Sequence, residues 1–272
     1  MVRIETEDLP PGRLPSGPAD RSLYAIGDVH GRDDLLEPLL AAIVAHAERT
    51  AAGRHAADAA GARPSLLVGL GDYVDRGPGS AAVIERLSRF HREDFTFVPL
   101  MGNHEHLMLQ FLADADEAGP WLANGGGATL ASYGVAVGAG WPERARYGVL
   151  RDALARNLPP HHRRFLDTLA TSHAAGDYLF VHAGIRPGVP MDDQDFQDLI
   201  WIRGPFLRAT GPHGALVVHG HSIAPAAVVR ANRVGIDTGA FYSGRLTALA
   251  IAGSSQRLIT ACGEPDHSWV GT

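Results

Sequence analysis

The sequence contains no lysine: all 24 of its basic residues are arginine. That removes Schiff-base chemistry and the phosphate-binding lysine of a P-loop together. Cysteine is nearly as scarce. The single Cys262 cannot close an intramolecular disulfide and cannot build a cysteine-rich zinc site, and no disulfide-linked partner is expected. No apolar run approaches the roughly eighteen residues that a membrane helix needs. The opening stretch MVRIETEDLPPGRLPSGPAD has no apolar core of the kind a signal peptide carries. The expectation is a cytoplasmic protein with no membrane partner. Positive charge is not in surplus either. The formal net charge is -6, so no global basic field draws the chain to nucleic acid, and no nucleic-acid partner is expected. A nucleotide substrate stays open.

What is present is the composition of a globular protein, 45% apolar and 20% charged over 272 residues. That length suffices for one large domain. Residues 1–20 read as a flexible N-terminal arm, and 21–272 as one catalytic domain. Apolar runs then alternate with helical patterns. Ser22–Asp28, Ser65–Asp72 and Phe95–Asn103 read as strands. Asp34–Arg49, with Pro38 in its first turn, reads as a helix, as do Ser80–His91 and His104–Ala113. The Ala/Gly-rich stretch Ala51–Pro64 reads as a surface loop. A mostly helical stretch follows, from about Gly119 to Ala170. Asp177–Gly184, Ala215–Ser222, Arg233–Ala240 and Arg245–Gly253 read as short strands of a second, mixed or antiparallel sheet. The strand–loop–helix rhythm predicts an α/β layered fold.

The polar residues fall in a pattern. Five apolar runs each end in side chains able to bind metal: Asp28 and His30 in GDVHG, Asp72 with Asp75-Arg76 in GDYVDRG, Asn103-His104-Glu105 in GNHE, His182 in VHAG, and His219 and His221 in VVHGHS. Open α/β sheets place their sites at strand ends. The interspersed glycines let the backbone turn sharply where carboxylates and imidazoles crowd one point. Asp and His mixed with an Asn carbonyl suit manganese, iron or zinc. Singly, each residue has a plainer reading: Asp28 as a turn or cap residue, His182 as a hydrogen-bonded core histidine, Asn103 as a helix cap, Arg76 as a surface charge. The plainer reading has to hold five times over, and the joint occurrence points to a metal site.

GDVHG … GDYVDRG … GNHE … VHAG … HGHS resembles the signature of the calcineurin-like metallophosphoesterases, and in particular the bacterial and phage branch of the phosphoprotein phosphatase family. WLANGGG, LIWIR and IDTGAFYSGRLTAL add to the resemblance, which runs from about Ser22 to Ala250. It implies a two-sheet β-sandwich flanked by helices, holding two divalent metal ions, manganese foremost, with iron or zinc as alternatives. It implies Asp28 and His30 on the first metal, Asp72 bridging, and Asn103, His182 and His221 on the second. Two metals roughly 3.5–4 Å apart can activate a shared hydroxide for in-line attack on phosphorus. Arg76 and Arg203, with Asn103, would then hold the phosphate oxygens. His104 would be the general acid, with Asp75 orienting its imidazole.

The resemblance thus implies a metal-dependent phosphomonoesterase, acting on a phosphorylated protein or a small phosphoester, with a serine/threonine protein phosphatase as the leading reading. A dinucleoside polyphosphate hydrolase is the enzyme alternative. Tyr133, Trp141 and Arg144 could supply its nucleotide pocket, although core packing is the commoner role for such aromatics. A non-catalytic binding protein on the same scaffold is the third reading, and it predicts a lost ligand position; none is lost. Strand alternation would send His219 and His221 to the same face, leaving His219 as a partner behind the ligands. His161 and His162 are expected at a helix start on a solvated basic face. His106 is expected to be structural, Glu105 either structural or a support behind the ligands, and Asn124 either lines the cleft or makes a turn.

Overall fold

The computed structural model describes residues 1–53, 61–138 and 143–265. Among the described residues, eleven strands lie in two sheets. They are β1 (Arg3–Asp8), β2 (Leu23–Ile26), β3 (Ser65–Gly69), β4 (Phe95–Pro99), β5 (Ser172–Ala175), β6 (Tyr178–Val181), β7 (Leu216–His219), β8 (Val228–Val229), β9 (Arg233–Gly235), β10 (Arg245–Ala252) and β11 (Ser255–Cys262). The first sheet runs β1-β11-β10-β2-β3-β4 and the second β5-β6-β7-β9-β8. Helices α1 (Asp33–Ala52), α2 (Ser80–Ser88), α3 (Asn103–Ala113), α4 (Ala118–Ala123), α5 (Gly126–Ser132), α6 (Tyr147–Asn157), α7 (Pro160–Asp167), α8 (Phe196–Trp201), α9 (Gly204–Leu207) and α10 (Ala240–Ser243) complete it.

Alternation along the strands builds the layers. In β2, Leu23 and Ala25 face Phe180, Val218 and Ile236 of the second sheet, forming the core between the sheets. Tyr24 and Ile26 face the other way, against Leu36, Leu39 and Ile43 of α1. All four β2 residues are buried, so this strand reads as a continuous apolar run. Each such buried Leu or Ile side chain stabilises the fold by roughly 1.5–3 kcal/mol. The outer face of the second sheet, through Leu179, Val181 and Val217, packs on Ile200 and Phe206 of α8 and α9. The result is one α/β domain: a sandwich covered by helices on both outer faces.

What positions the site is strand direction. β2, β3 and β4 are parallel neighbours, and so are β6, β7 and β9. Their carboxyl ends open on one edge of the sandwich, and the residues singled out above follow directly.

Several expectations change. Residues 3–8 of the supposed flexible arm form β1, paired antiparallel with β11 from Arg3↔Cys262 to Asp8↔Arg257. Leu9 and Leu14 then join the core between the sheets. RIETED carries one apolar residue, because an edge strand is held by backbone bonds and cross-strand charges such as Arg257–Asp8, at 2.6 and 3.0 Å. Arg245–Ala252 belongs to the first sheet, pairing with β2, and not to the second. Pro38 sits in the second turn of α1, because the helix starts at Asp33. Of the stretch expected as a surface loop, residues 51 and 52 end α1 and 54–60 lie outside the described residues. Among the described residues, no helix is long and apolar enough to cross a membrane.

Candidate metal centre

The loops leaving the strands are strained in one place. Among the described residues, the non-glycine residues with positive φ are His30, Asp72, Asp75, Arg76 and His221. All five are candidate site residues. Such a backbone costs on the order of 1–3 kcal/mol per residue and persists only where its surroundings impose it. Glu105 imposes much of it. Its carboxylate accepts the N–H groups of Asp72, Tyr73 and Val74 at 2.8, 2.7 and 3.1 Å, and of Gly102 at 3.1 Å. The Asp72 carbonyl in turn accepts the N–H groups of Val29 and His30. Two glycines permit the approach: a Cβ on Gly102 would strike the Asp72 carboxylate, and one on Gly220 the Asp28 carboxylate. Gly220→Ala is therefore expected to weaken metal binding about 10–100-fold, the usual loss when a ligand's supporting contacts are disturbed. Metal titration against Gly211→Ala, where a Cβ meets nothing, checks this; equal affinities would remove the steric argument.

Asp72 lies at the centre. Its Oδ2 is 3.5 Å from His30 Nε2 and 3.8 Å from His104 Nε2, while Oδ1 is 3.5 Å from His182 Nε2. The two oxygens thus face two different groups. His182 Nε2 also lies 3.0 Å from Asn103 Oδ1. His30, Asp72 and His104 form one set of converging donor atoms, and Asp72, His182 and His221 another. The imidazoles are aimed from behind: Nδ1 of His30 meets the Val74 carbonyl, and Nδ1 of His182 the Leu70 carbonyl, both at 2.8 Å. Those bonds place the proton on Nδ1 and turn the Nε2 lone pairs inward. Asp28 stands beside this group, its carboxylate accepting the His221 N–H at 2.9 Å. Arg76 Nη1 lies 2.9 Å from His30 Nε2, and its guanidinium stacks on Phe241. Arg203 is exposed, near enough for its charge to bear on His182 and His221.

His104 and Asp75 form a buried pair, Nδ1 to Oδ2 at 2.8 Å. Asp75 is held in turn by Trp121 Nε1, at 3.0 Å, and Thr129 Oγ1, at 2.6 Å. Burial alone would lower the His104 imidazole, but the carboxylates of Asp72 and Asp75 outweigh it and hold it above its ordinary value. His104 Nε2 is buried, with no hydrogen-bond partner among the described residues.

Trp121, Thr129 and Asp237 are the residues that sequence reasoning missed. Trp121 and Thr129 reach Asp75 from α4 and α5, a link no spacing shows. Asp237 ends β9 as the other acids end their strands, and that positional signal could have found it. Burial and the charge of Asp72 push its carboxyl up to about 6, and it lies beside Asp28. His219 departs from expectation: its ring packs on Phe206, with Nδ1 at the Gly220 carbonyl. The left-handed backbone at His221 (φ 60) breaks the strand alternation and sends only His221 to the centre. His106 packs on Phe196, and Asn124 closes its own turn on the Pro120 carbonyl. His161 and His162 do start α7, and both rings meet Glu85 of α2; His162 is buried there, while His161 stays partly exposed. Tyr133 is buried against His162, and Arg144 pairs with Asp116; Trp141 lies outside the described residues.

The donors fit divalent cations. Asp28, Asp72 and Asp237 are three carboxylates buried together. Burial and the charges of Asp237 and Asp72 push Asp28 well up. Burial lowers His30 and His182 and takes His221 down to about 2, so these imidazoles are neutral, the form that ligates a cation. Concentrated buried negative charge facing oriented imidazole lone pairs is a cation site.

Residues 22–242 match the family described as calcineurin-like phosphoesterase. The chain belongs to that family. Among relatives of this phosphoesterase, the symmetrical bis(5'-nucleosyl)-tetraphosphatase of Acidovorax ebreus (strain TPSY) is 32% identical over 175 residues, 61% of this chain and 45% of the relative. The chain thus spans less than half the length of that relative. Serine/threonine-protein phosphatase 2 of Escherichia coli (strain K12) is 23% identical over 237 residues, 84% of this chain and 91% of the relative. The crystal structure of a cold-active protein-tyrosine phosphatase from a psychrophilic Shewanella superposes with a TM-score of 0.52 at 16% identity, covering 91% of this chain and 84% of that one. It shares the fold.

Proposed function

We propose that this phosphoesterase is a metal-dependent phosphomonoester hydrolase, with a serine/threonine phosphoprotein as its leading substrate class. The observation that carries the reading is Asp72, whose two oxygens face two separate donor groups. Asp28 and His30 would hold one ion, Asn103, His182 and His221 the other, and Asp72 both. The ions, manganese foremost with iron or zinc as alternatives, supply charge neutralisation and water activation when bound. Arg76 and Arg203 flank the centre and clamp the phosphate oxygens, a task that suits the planar guanidinium. His104 delivers a proton to the leaving alkoxide, and Asp75 holds its ring in place.

The alternative is hydrolysis of a dinucleoside polyphosphate, favoured by the identity to the tetraphosphatase. Two observations weigh toward the phosphoprotein. The relation to the phosphatase spans nearly all of that relative. Tyr133 and Arg144, the candidates for a nucleotide pocket, are engaged elsewhere. With Mn²⁺ added, p-nitrophenyl phosphate, a phosphoserine peptide and diadenosine tetraphosphate are compared in parallel. The expected result is phosphate release from the first two, with kcat/KM for the dinucleotide at least tenfold lower. Preferential cleavage of the dinucleotide would reverse the order of the two readings.

A further inference from the structure

Away from the strand ends, three more side chains meet. Glu85 projects from α2, and His161 and His162 from the first turn of α7. His161 Nε2 lies 2.6 Å from Glu85 Oε2, and His162 Nε2 lies 2.7 Å from the same oxygen. Successive residues on a helix point about 100° apart, yet both rings turn onto one atom, their planes 78° apart. The other carboxylate oxygen, Oε1, is engaged by Arg89. Behind His162, Nδ1 lies 2.9 Å from the hydroxyl of Tyr133 at the end of α5.

We propose that Glu85, His161 and His162 form a binding site for a divalent cation of the zinc class, separate from the centre at the strand ends. Two imidazole nitrogens and a carboxylate oxygen, with water in the fourth position, are a donor set that zinc favours. The three donor atoms already lie within 4.8 Å of one another. In a tetrahedral site with bonds near 2.1 Å, ligand atoms stand about 3.4 Å apart. The Glu85 oxygen therefore has to withdraw by somewhat under about 1 Å. Its side chain is 41% exposed and has room to do so, and the 33% exposure of His161 gives the ion a way in. His162 is buried and supported as ligating histidines are: its Nδ1–H donates to Tyr133 once Nε2 carries the ion. Hydrogen bonds, that from His161 foremost, hold the Glu85 carboxyl down to about 2, and burial lowers His162. Near neutral pH Glu85 is thus a carboxylate and His162 a neutral imidazole, which ligates through Nε2 once its proton passes to Nδ1. Arg89 and the positive end of α7 oppose a cation here, and the Glu85 charge offsets them.

An ion at this place would tie α2 to α7 and, through Tyr133, to α5. The same α5 carries Thr129, the support of Asp75. The site is a clamp on the helical layer behind the proton donor.

The test uses the full chain without a polyhistidine tag, its strand-end centre preloaded with Mn²⁺, and Zn²⁺ as the probe. Zinc bound per chain and the shift in melting temperature are read for the parental protein, His161→Ala and Glu85→Gln. The parental chain is expected to bind one more zinc than either variant and to melt higher on zinc addition. The variants are expected to bind at this site at least tenfold more weakly, while the Mn²⁺-supported rate of His161→Ala on p-nitrophenyl phosphate stays within twofold of parental. Nitrogen NMR of the histidines gives a readout that needs no variant: His162 is expected to move its proton from Nε2 to Nδ1 as zinc is added. Equal zinc content and equal melting shifts in all three proteins, with the His162 tautomer unchanged, would overturn the proposal.

Discussion

Asp72→Asn is expected to lose bound metal and the proposed phosphoester hydrolysis together. The asparagine keeps the shape of the side chain, but its charge is gone and one of the two oxygens becomes an NH₂ group. That NH₂ cannot accept or ligate, so either His30 and His104 on one side or His182 on the other loses its partner oxygen. The fold is not expected to suffer. The Asp28 and Asp237 carboxyls, both raised in part by the Asp72 charge, lose a repulsive neighbour. Elemental analysis of the purified variant should show metal per chain falling severalfold or more, and turnover falling below detection. Its melting temperature measured in chelator should match that of the metal-free parental chain. A variant that retains its full metal complement would show that Asp72 is not the shared ligand.

His104→Asn should do the opposite on metal and nearly as much damage on rate. The proposed proton donor is lost, a loss of about 10²–10⁴ in turnover, or about 3–5 kcal/mol in the barrier. The metals are expected to stay, because Asp75 holds the His104 ring from behind and the proposed ligand set does not include His104, although its Nε2 lies near that set. The size of the loss should depend on the leaving group. An alkoxide needs the proton and p-nitrophenolate hardly does, so the defect should be largest on a phosphoserine peptide and smallest on p-nitrophenyl phosphate. Equal losses on both substrates would assign His104 to phosphate binding and not to proton donation.

The candidate site was largely legible because its residues follow directly on apolar strands, and strand direction alone gathers strand ends. His30, Asp72, His182 and His221 needed no knowledge of side-chain packing to be placed near one another. What could not be read depends on contacts between distant segments. Asp75 and Thr129 are 54 positions apart, and nothing in WLANGGG says that its tryptophan caps a carboxylate. The left-handed backbone at His221 is a property of the folded loop, and without it the alternation argument wrongly paired His219 with His221. For the fold, the parallel strands were legible from their apolar runs. β1 was not, because a strand exposed on both faces carries no hydrophobic signal. β10 was assigned to the wrong sheet because its true neighbour, β2, lies at the other end of the chain.

That last pairing bears on how the chain reaches its native form. The strand order β1-β11-β10-β2 places the last two strands between the first two. During synthesis β3 and β4 can dock on β2 early, but the other edge of β2 has no partner until Arg245–Ala252 emerges. Ala248↔Ile26 and Ile251↔Leu23 join residues more than two hundred positions apart. Loop closure over such a span makes sheet completion slow. Until then an all-apolar edge, Leu23 to Ile26, stays open to other chains. A nascent chain stalled just before residue 245 would be an aggregation hazard even though every residue of its candidate centre is already synthesised.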